Sequence, residues 1–191
     1  GGGAQSGNIT VQNPITWAST RQLTLNSTGT TGIISINAPI TTGGGALTVT
    51  GPRVAVNNTS ITTNGGALTV TASGGGGTAI SLTGATLDVG SGTGTLTATT
   101  STTTGTAFSG INSITSTGAG SFSISATNSA AAANPAIRFS DGTQLTVTGN
   151  TSISGSDLSS YIGILFGTTN LVNTSGNLTI TGSSVSNAGI Q

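Results

Sequence analysis

Apolar and hydroxyl-bearing residues alternate in short runs that return along the whole chain. Gly43-Gly44-Gly45-Ala46-Leu47-Thr48-Val49-Thr50-Gly51 comes back almost intact as Gly65-Gly66-Ala67-Leu68-Thr69-Val70-Thr71. Looser copies follow at Gly94-Thr95-Leu96-Thr97-Ala98-Thr99 and Gly176-Asn177-Leu178-Thr179-Ile180-Thr181-Gly182. A period of two over such short runs marks a half-buried strand, with Leu47 and Val49 facing in and Thr48 and Thr50 facing out. No 3.6-residue apolar stripe is present, so the pattern contains no amphipathic helix.

Three series of apolar anchors can be aligned independently. The first opens a strand at Ile9, Ile34, Val54, Ile80, Phe108, Ile137, Ile164 and Ile190. The second follows at Ile15, Ile40, Ile61, Leu87, Ile114, Leu145 and Leu171. The third is the glycine-fed strand, whose core ladder is expected to be Leu23, Leu47, Leu68, Leu96, Phe122, Ile153 and Leu178. Each series advances by roughly 26 residues, a period typical of solenoids and arrays. The pattern therefore predicts an all-β, right-handed parallel β-helix of about seven rungs, three short strands each, with residues 1–191 forming one segment. At a strand spacing of about 4.8 Å the rod would be roughly 34 Å long.

Gly, Asn and Pro mark the corners, as in Asn13-Pro14, Asn37-Ala38-Pro39 and Gly43-Gly44-Gly45, where a fixed or positive φ is needed. Asn37 with Asn57 or Asn58 is expected to form an Asn ladder at one corner. Insertions concentrate at Thr99 to Ala107, Thr127 to Ala136 and Gly155 to Gly163, and are expected to form loops along one edge of the rod. The last contains Asp157, Leu158 and the single tyrosine, Tyr161. Gly1-Gly2-Gly3-Ala4 reads as a copy of the third-strand turn, and Ala188-Gly189-Ile190-Gln191 as the opening of a further rung. The expectation is an excerpt of a longer solenoid or a subunit that stacks end to end.

Composition sharpens this picture. The charged residues are Arg21, Arg53 and Arg138 against Asp88, Asp141 and Asp157, with no His, Cys or Met. Ordinary domains are about a quarter charged; here Ser, Thr, Asn and Gly must keep the surface wet. Disulfides and thiolate metal sites are excluded. Zero net charge offers no stripe to neutralise phosphates, so nucleic acid is not an expected partner. No apolar run is long enough to span a membrane. Abundant Thr without Cys or Lys fits a secreted or bacterial cell-surface setting.

Asn8-Ile9-Thr10-Val11-Gln12-Asn13-Pro14-Ile15, Ile34-Ser35-Ile36-Asn37-Ala38-Pro39-Ile40 and Gly44-Gly45-Ala46-Leu47-Thr48-Val49-Thr50 together resemble the repeat region of filamentous-haemagglutinin-like adhesins. These are exported by two-partner secretion; AIDA-like autotransporter passengers are a close neighbour. The resemblance is clearest over residues 7–98. It implies a right-handed parallel β-helix, an extracellular location, and a role in adhesion, biofilm or contact. The family's secretion domain carries Asn-Pro-Asn-type motifs; here Ile15 follows Asn13-Pro14, so that domain is not assigned.

Candidate chemistry is sparse. Polysaccharide cleavage on a β-helix needs grouped carboxylates or a basic residue, and the best pair is Arg138 with Asp141; a surface ion pair or a corner Asp beside Gly142 explains the same residues. Asp88, in Leu87-Asp88-Val89-Gly90, lacks the nonapeptide repetition of calcium-binding rolls. No enzyme, cofactor or metal array is expected. The pairs Thr48/Thr50, Thr69/Thr71, Thr97/Thr99 and Thr179/Thr181, with Thr146/Thr148 on a neighbouring face, resemble the ladders of ice-binding solenoids, although Thr is favoured on any outward strand face. Ser123, Ser125, Ser152 and Ser154 are expected to interrupt that array. Sequons stand at Asn8, Asn26, Asn57, Asn58, Asn150, Asn173 and Asn177. Trp17 is expected to face inward, and Tyr161 and Asp157 to lie on a loop that contacts a ligand or packs on the rod.

The combined expectation is a non-enzymatic structural or adhesive solenoid. Its candidate contacts are Thr48, Thr50, Thr69, Thr71, Asp157 and Tyr161. Its expected partners are further rungs or copies of itself and a host receptor or surface glycan. Ice binding is the alternative, and polysaccharide binding or cleavage a remote one.

Overall fold

A computed structural model describes residues 7–74, 76–101, 106–109, 113–116, 120–130, 133–159, 161–167 and 171–191. Its strands form three parallel seven-stranded sheets, each taking one strand from every rung. Sheet one contains β1 (Ile9–Val11), β4 (Ile33–Ile36), β7 (Arg53–Asn57), β10 (Ile80–Thr83), β13 (Phe108–Ser109), β16 (Ile137–Phe139) and β19 (Ile164–Phe166). Sheet two contains β2 (Ile15–Trp17), β5 (Ile40–Thr42), β8 (Ser60–Thr62), β11 (Thr86–Asp88), β14 (Ser113–Thr115), β17 (Gln144–Val147) and β20 (Leu171–Thr174). Sheet three contains β3 (Leu23–Asn26), β6 (Leu47–Gly51), β9 (Leu68–Ala72), β12 (Thr93–Thr100), β15 (Ser121–Asn128), β18 (Thr151–Asp157) and β21 (Leu178–Ser184). The molecule is an all-β solenoid with three strands per rung.

Period-two alternation explains why each strand buries one face. Leu47 and Val49 are buried with Thr48 and Thr50 half-exposed between them, and Ile80 and Leu82 are buried around Ser81. The inward faces of the three sheets meet in one continuous apolar core. Parallel strands cannot be closed by tight hairpins, so each rung must turn two corners and step to the next. At the corner from sheet two to sheet three, Gly44 and Gly65 have φ of +96° and +98°, which a side chain tolerates poorly. Buried hydroxyls secure the same corner: Thr42 Oγ1 donates to the Gly45 carbonyl at 2.7 Å, and Thr63 Oγ1 to that of Gly66 at 2.6 Å. Trp17 packs against the core above Thr42 and donates its indole N–H to the Arg21 carbonyl at 2.9 Å.

The register of sheet one follows the first anchor series throughout. Ile9, Ile34, Val54, Ile80, Phe108, Ile137 and Ile164 stack in one column, and Ile190 bridges to Ile164. In sheet two the series holds through Leu145, whose partner is Val172; Leu171 pairs with Gln144 instead. Leu171 and Val172 are adjacent and both aliphatic, so the sequence pattern alone does not choose between the two registers.

Sheet three departs from the expected single ladder. Leu23, Leu47, Leu68, Gly94, Phe122, Thr151 and Leu178 form one column, buried from Leu47 to Thr151; on the terminal rungs Leu23 is half-buried and Leu178, expected in the core ladder, is 38 % exposed. Leu25, Val49, Val70, Leu96, Ile124, Ile153 and Ile180 form the next. Leu96 and Ile153 therefore belong to the second column. The reason is volume: a Cβ at Gly94 would lie 2.1 Å from the Phe122 ring, so the large ring occupies the slot its neighbour leaves empty.

Sheet three also widens along the rod. Its strands contain 4, 5 and 5 residues in the first three rungs, then 8, 8, 7 and 7. Part of what reads as loop after Thr99, Thr127 and Gly155 is thus strand, ending at Thr100, Asn128 and Asp157. Ala98 and Thr100, Ala126 and Asn128, and Gly155 and Asp157 continue the inward alternation. The remainder of those insertions includes residues 102–105, 131–132 and 160, which lie outside the described residues, as does the glycine-rich start at Gly1.

Candidate functional site

The outward face of sheet three carries the richest array of one chemistry. One column contains Thr24, Thr48, Thr69, Thr95, Ser123, Ser152 and Thr179. The next contains Asn26, Thr50, Thr71, Thr97, Ser125, Ser154 and Thr181. Where the sheet widens, Thr99, Thr127, Ser156 and Ser183 add a third column. The Thr-x-Thr pair of the fourth rung is Thr95/Thr97, one step earlier than the Thr97/Thr99 of the sequence pattern, because Gly94 rather than Leu96 opposes Leu68. Ser123, Ser125, Ser152 and Ser154 continue these columns in register and lack only the Thr methyl group.

Hydroxyls repeat about every 4.8 Å between rungs and about 6.7 Å along each strand. Neighbouring polar groups tie the rungs together. Gln22 Nε2 donates to Thr24 Oγ1 at 3.3 Å and to Thr48 Oγ1 at 2.8 Å. Ser183 Oγ donates to Ser156 Oγ at 3.0 Å, and the Asn177 N–H to Asn150 Oδ1 at 3.1 Å. At the opposite corner Asn57 donates to Asn37 Oδ1 at 2.9 Å, so Asn57 and not Asn58 makes that ladder. Asn58 instead takes φ of +49°.

In the four wider rungs this face becomes a groove of about 550 Å³. Thr93, Ser121, Asn150 and Asn177 line one side, and Thr95, Ser123, Ser152 and Thr179 the other, with Gly94, Phe122 and Thr151 between them. Phe122 and Thr151 are buried, so the groove presents hydroxyls and amides set among aliphatic carbon rather than an aromatic platform.

Charged residues sit elsewhere. Arg53 and Arg138 are on sheet-one strands, Asp88 on a sheet-two strand, and Arg21 and Asp141 outside strands. Asp157 is the charged residue on a sheet-three strand, and it points inward, 1 % exposed. Its Oδ1 accepts from Ser159 N–H, Ser159 Oγ–H and Tyr161 N–H, each at 2.9 Å. Asp157 and Tyr161 are thus parts of one internally bonded turn, not an exposed pair: Asp157 is buried and Tyr161 half-buried. Ser184 Oγ closes the turn by donating to the Tyr161 carbonyl.

The remaining acids do not gather. Asp88 accepts from Gly90 N–H at 2.9 Å, an Asx-type corner bond. Arg138 and Asp141 line a separate hollow of about 370 Å³ with Phe139 and Phe166, whose rings stack 4.9 Å apart. Among the described residues no three His, Cys, Asp or Glu side chains cluster, and no helix is long and apolar enough to cross a membrane. The sequon residues Asn8, Asn26, Asn58, Asn150 and Asn177 are exposed and Asn57 is half-buried; the side chain of Asn173 lies outside the described residues.

This architecture defines the class of the protein as a parallel β-solenoid. Comparison with known proteins finds no matching family model, no similar curated protein and no similar solved structure.

Proposed function

We propose that this solenoid is the rigid, adhesive rod of a secreted or surface-displayed bacterial protein. The observation that carries the reading is the broad, uncharged hydroxyl face held on a continuous core. Backbone hydrogen bonds run along the rod axis in all three sheets, so rungs resist separation cooperatively. Seven rungs make six steps of about 4.8 Å, a reach of roughly 29 Å. A surface of Ser, Thr and Asn stays hydrated without strong fields and avoids indiscriminate electrostatic association. Partners under this reading are a host receptor or surface glycan, and further rungs of the same kind in the same chain or a second copy. The filamentous-haemagglutinin-like resemblance of residues 7–98 supports the same assignment.

Beads coated with the purified solenoid should adhere to epithelial cells or to a bacterial biofilm at least several-fold more than albumin-coated beads. Equal adherence would remove the adhesive reading. The ice-binding alternative uses the flat Thr48/Thr50, Thr69/Thr71 and Thr95/Thr97 pairs of the same sheet. Thermal hysteresis that is present in the purified protein and lost in Thr48→Lys would replace adhesion with that alternative.

A further inference from the structure

We propose that the groove on the widened half of sheet three is a binding site for a neutral oligosaccharide chain lying along the rod axis. The inference rests on the adhesive reading and names the ligand class of its principal face. Three features of the groove converge on this ligand. Its walls set hydroxyls and carboxamides among aliphatic carbon; the polar groups both donate and accept and so match sugar hydroxyls whichever way these turn, and the carbon meets the sugar's C–H faces. No charged side chain lines it, which disfavours anionic sugars and peptides that would leave a charge without a partner. It spans four rungs, and their spacing of about 4.8 Å is close to the advance per residue of an extended pyranose chain.

The geometry gives each sugar residue nearly equivalent partners. A pyranose above the fifth rung meets Ser121 and Ser123, and the next meets Asn150 and Ser152. Each rung contributes little alone, because a neutral hydrogen bond exchanged with water gives only a modest net gain. A chain engaging successive rungs accumulates these gains while its ends are already held close, as in any multivalent contact. The first three rungs have the hydroxyl columns and shorter strands but do not line the groove, so binding is localised to the second half of the rod.

The test is titration of the whole 191-residue solenoid with cellohexaose, chitohexaose and mannohexaose, with hexagalacturonate as the anionic comparison, followed by amide chemical shifts. At least one neutral hexasaccharide should bind and shift amides of Ser121, Ser123, Asn150 and Ser152. Combining Ser123→Ala, Ser152→Ala and Thr179→Val should weaken it about tenfold or more. The matched change on sheet two, Thr16→Val with Thr41→Val and Thr115→Val, should leave binding unaltered. No neutral binding up to about 10 mM, shifts confined to other faces, or tighter binding of hexagalacturonate would each overturn the proposal. If the triple variant misfolds, the shift map on the unaltered protein decides. Bead adherence separates the two readings: a rod that adheres without binding neutral sugars sinks only the groove, and one that binds sugars without adhering sinks only the adhesive role.

Discussion

Replacing Gly94 with Val should destabilise the solenoid by about 3 kcal/mol or more, and removing the Phe122 ring should recover much of that loss. The added Cβ would stand 2.1 Å from one Phe122 ring carbon and 2.4 and 2.5 Å from two others. The ring is buried, in register with Thr151 on the next strand, so moving it aside disturbs a packed layer. Overpacking of this kind ordinarily costs about 1–3 kcal/mol, and here backbone displacement in a hydrogen-bonded sheet adds to it. Phe122→Ala alone should cost about 3–5 kcal/mol through lost burial and the cavity left behind. In the double variant the Val side chain enters that cavity. The coupling energy from urea titrations of all four proteins should therefore be at least about 2 kcal/mol in the favourable direction. Strictly additive costs would mean that the two residues do not share one space.

The second large effect is expected at Gly66, where the obstacle is backbone. A Cβ there would lie 2.3 Å from the Gly45 carbonyl oxygen and 2.6 Å from its carbon, one rung away. Gly45, Gly92 and Gly120 meet carbonyl oxygens at 2.3 Å in the same way, so the corner from sheet two to sheet three is a stack of closely approaching main chains. Thr63 Oγ1 is already committed to the Gly66 carbonyl, and moving that segment would break a buried hydrogen bond as well. Gly66→Ala should cost about 3 kcal/mol and lower the midpoint of thermal unfolding by several degrees. Gly7→Ala, where nothing lies within 4 Å of the new atom, should shift stability by no more than about 0.5 kcal/mol. Similar melting curves for the two variants would show that the corner has slack.

The first effect bears on the proposed groove. Gly94, Phe122 and Thr151 lie between its walls, so their packing fixes the spacing of the hydroxyl columns outside. A ring that displaced the strand would spread Thr95 from Ser123, and a flexible ladder would lose the regular spacing on which multipoint recognition depends.

In the first, second and fourth rungs the anchors of sheet one were legible because strong apolar residues flank a single serine or threonine, as in Ile34-Ser35-Ile36 and Ile80-Ser81-Leu82; a slip by one residue would bury the hydroxyl. The outward Thr columns of the second and third rungs were legible for the same reason. Sheet three was ambiguous further along because slippage by two residues preserves the alternation. Gly94-Thr95-Leu96-Thr97 can place either Gly94 or Leu96 opposite Leu68, and a glycine beside a threonine reads as a turn. Asp157 presented a related difficulty: a charged residue in an insertion suggests solvent, yet extension of the strand carries it inward to a turn whose N–H groups it accepts from.

By itself the sequence determined the repeat, the parallel three-strand rung and the inward and outward faces, since these depend on local period and on the need to bury one side of each strand. Only the tertiary structure decided which residues stand above one another in the later rungs, where volume exchanged between Gly94 and Phe122 outweighs likeness of sequence. It also decided that the hydroxyl columns continue through the serines and border a groove, because that groove depends on how the residues that open the third strand stand beside one another in four successive rungs, a relation that no single repeat contains.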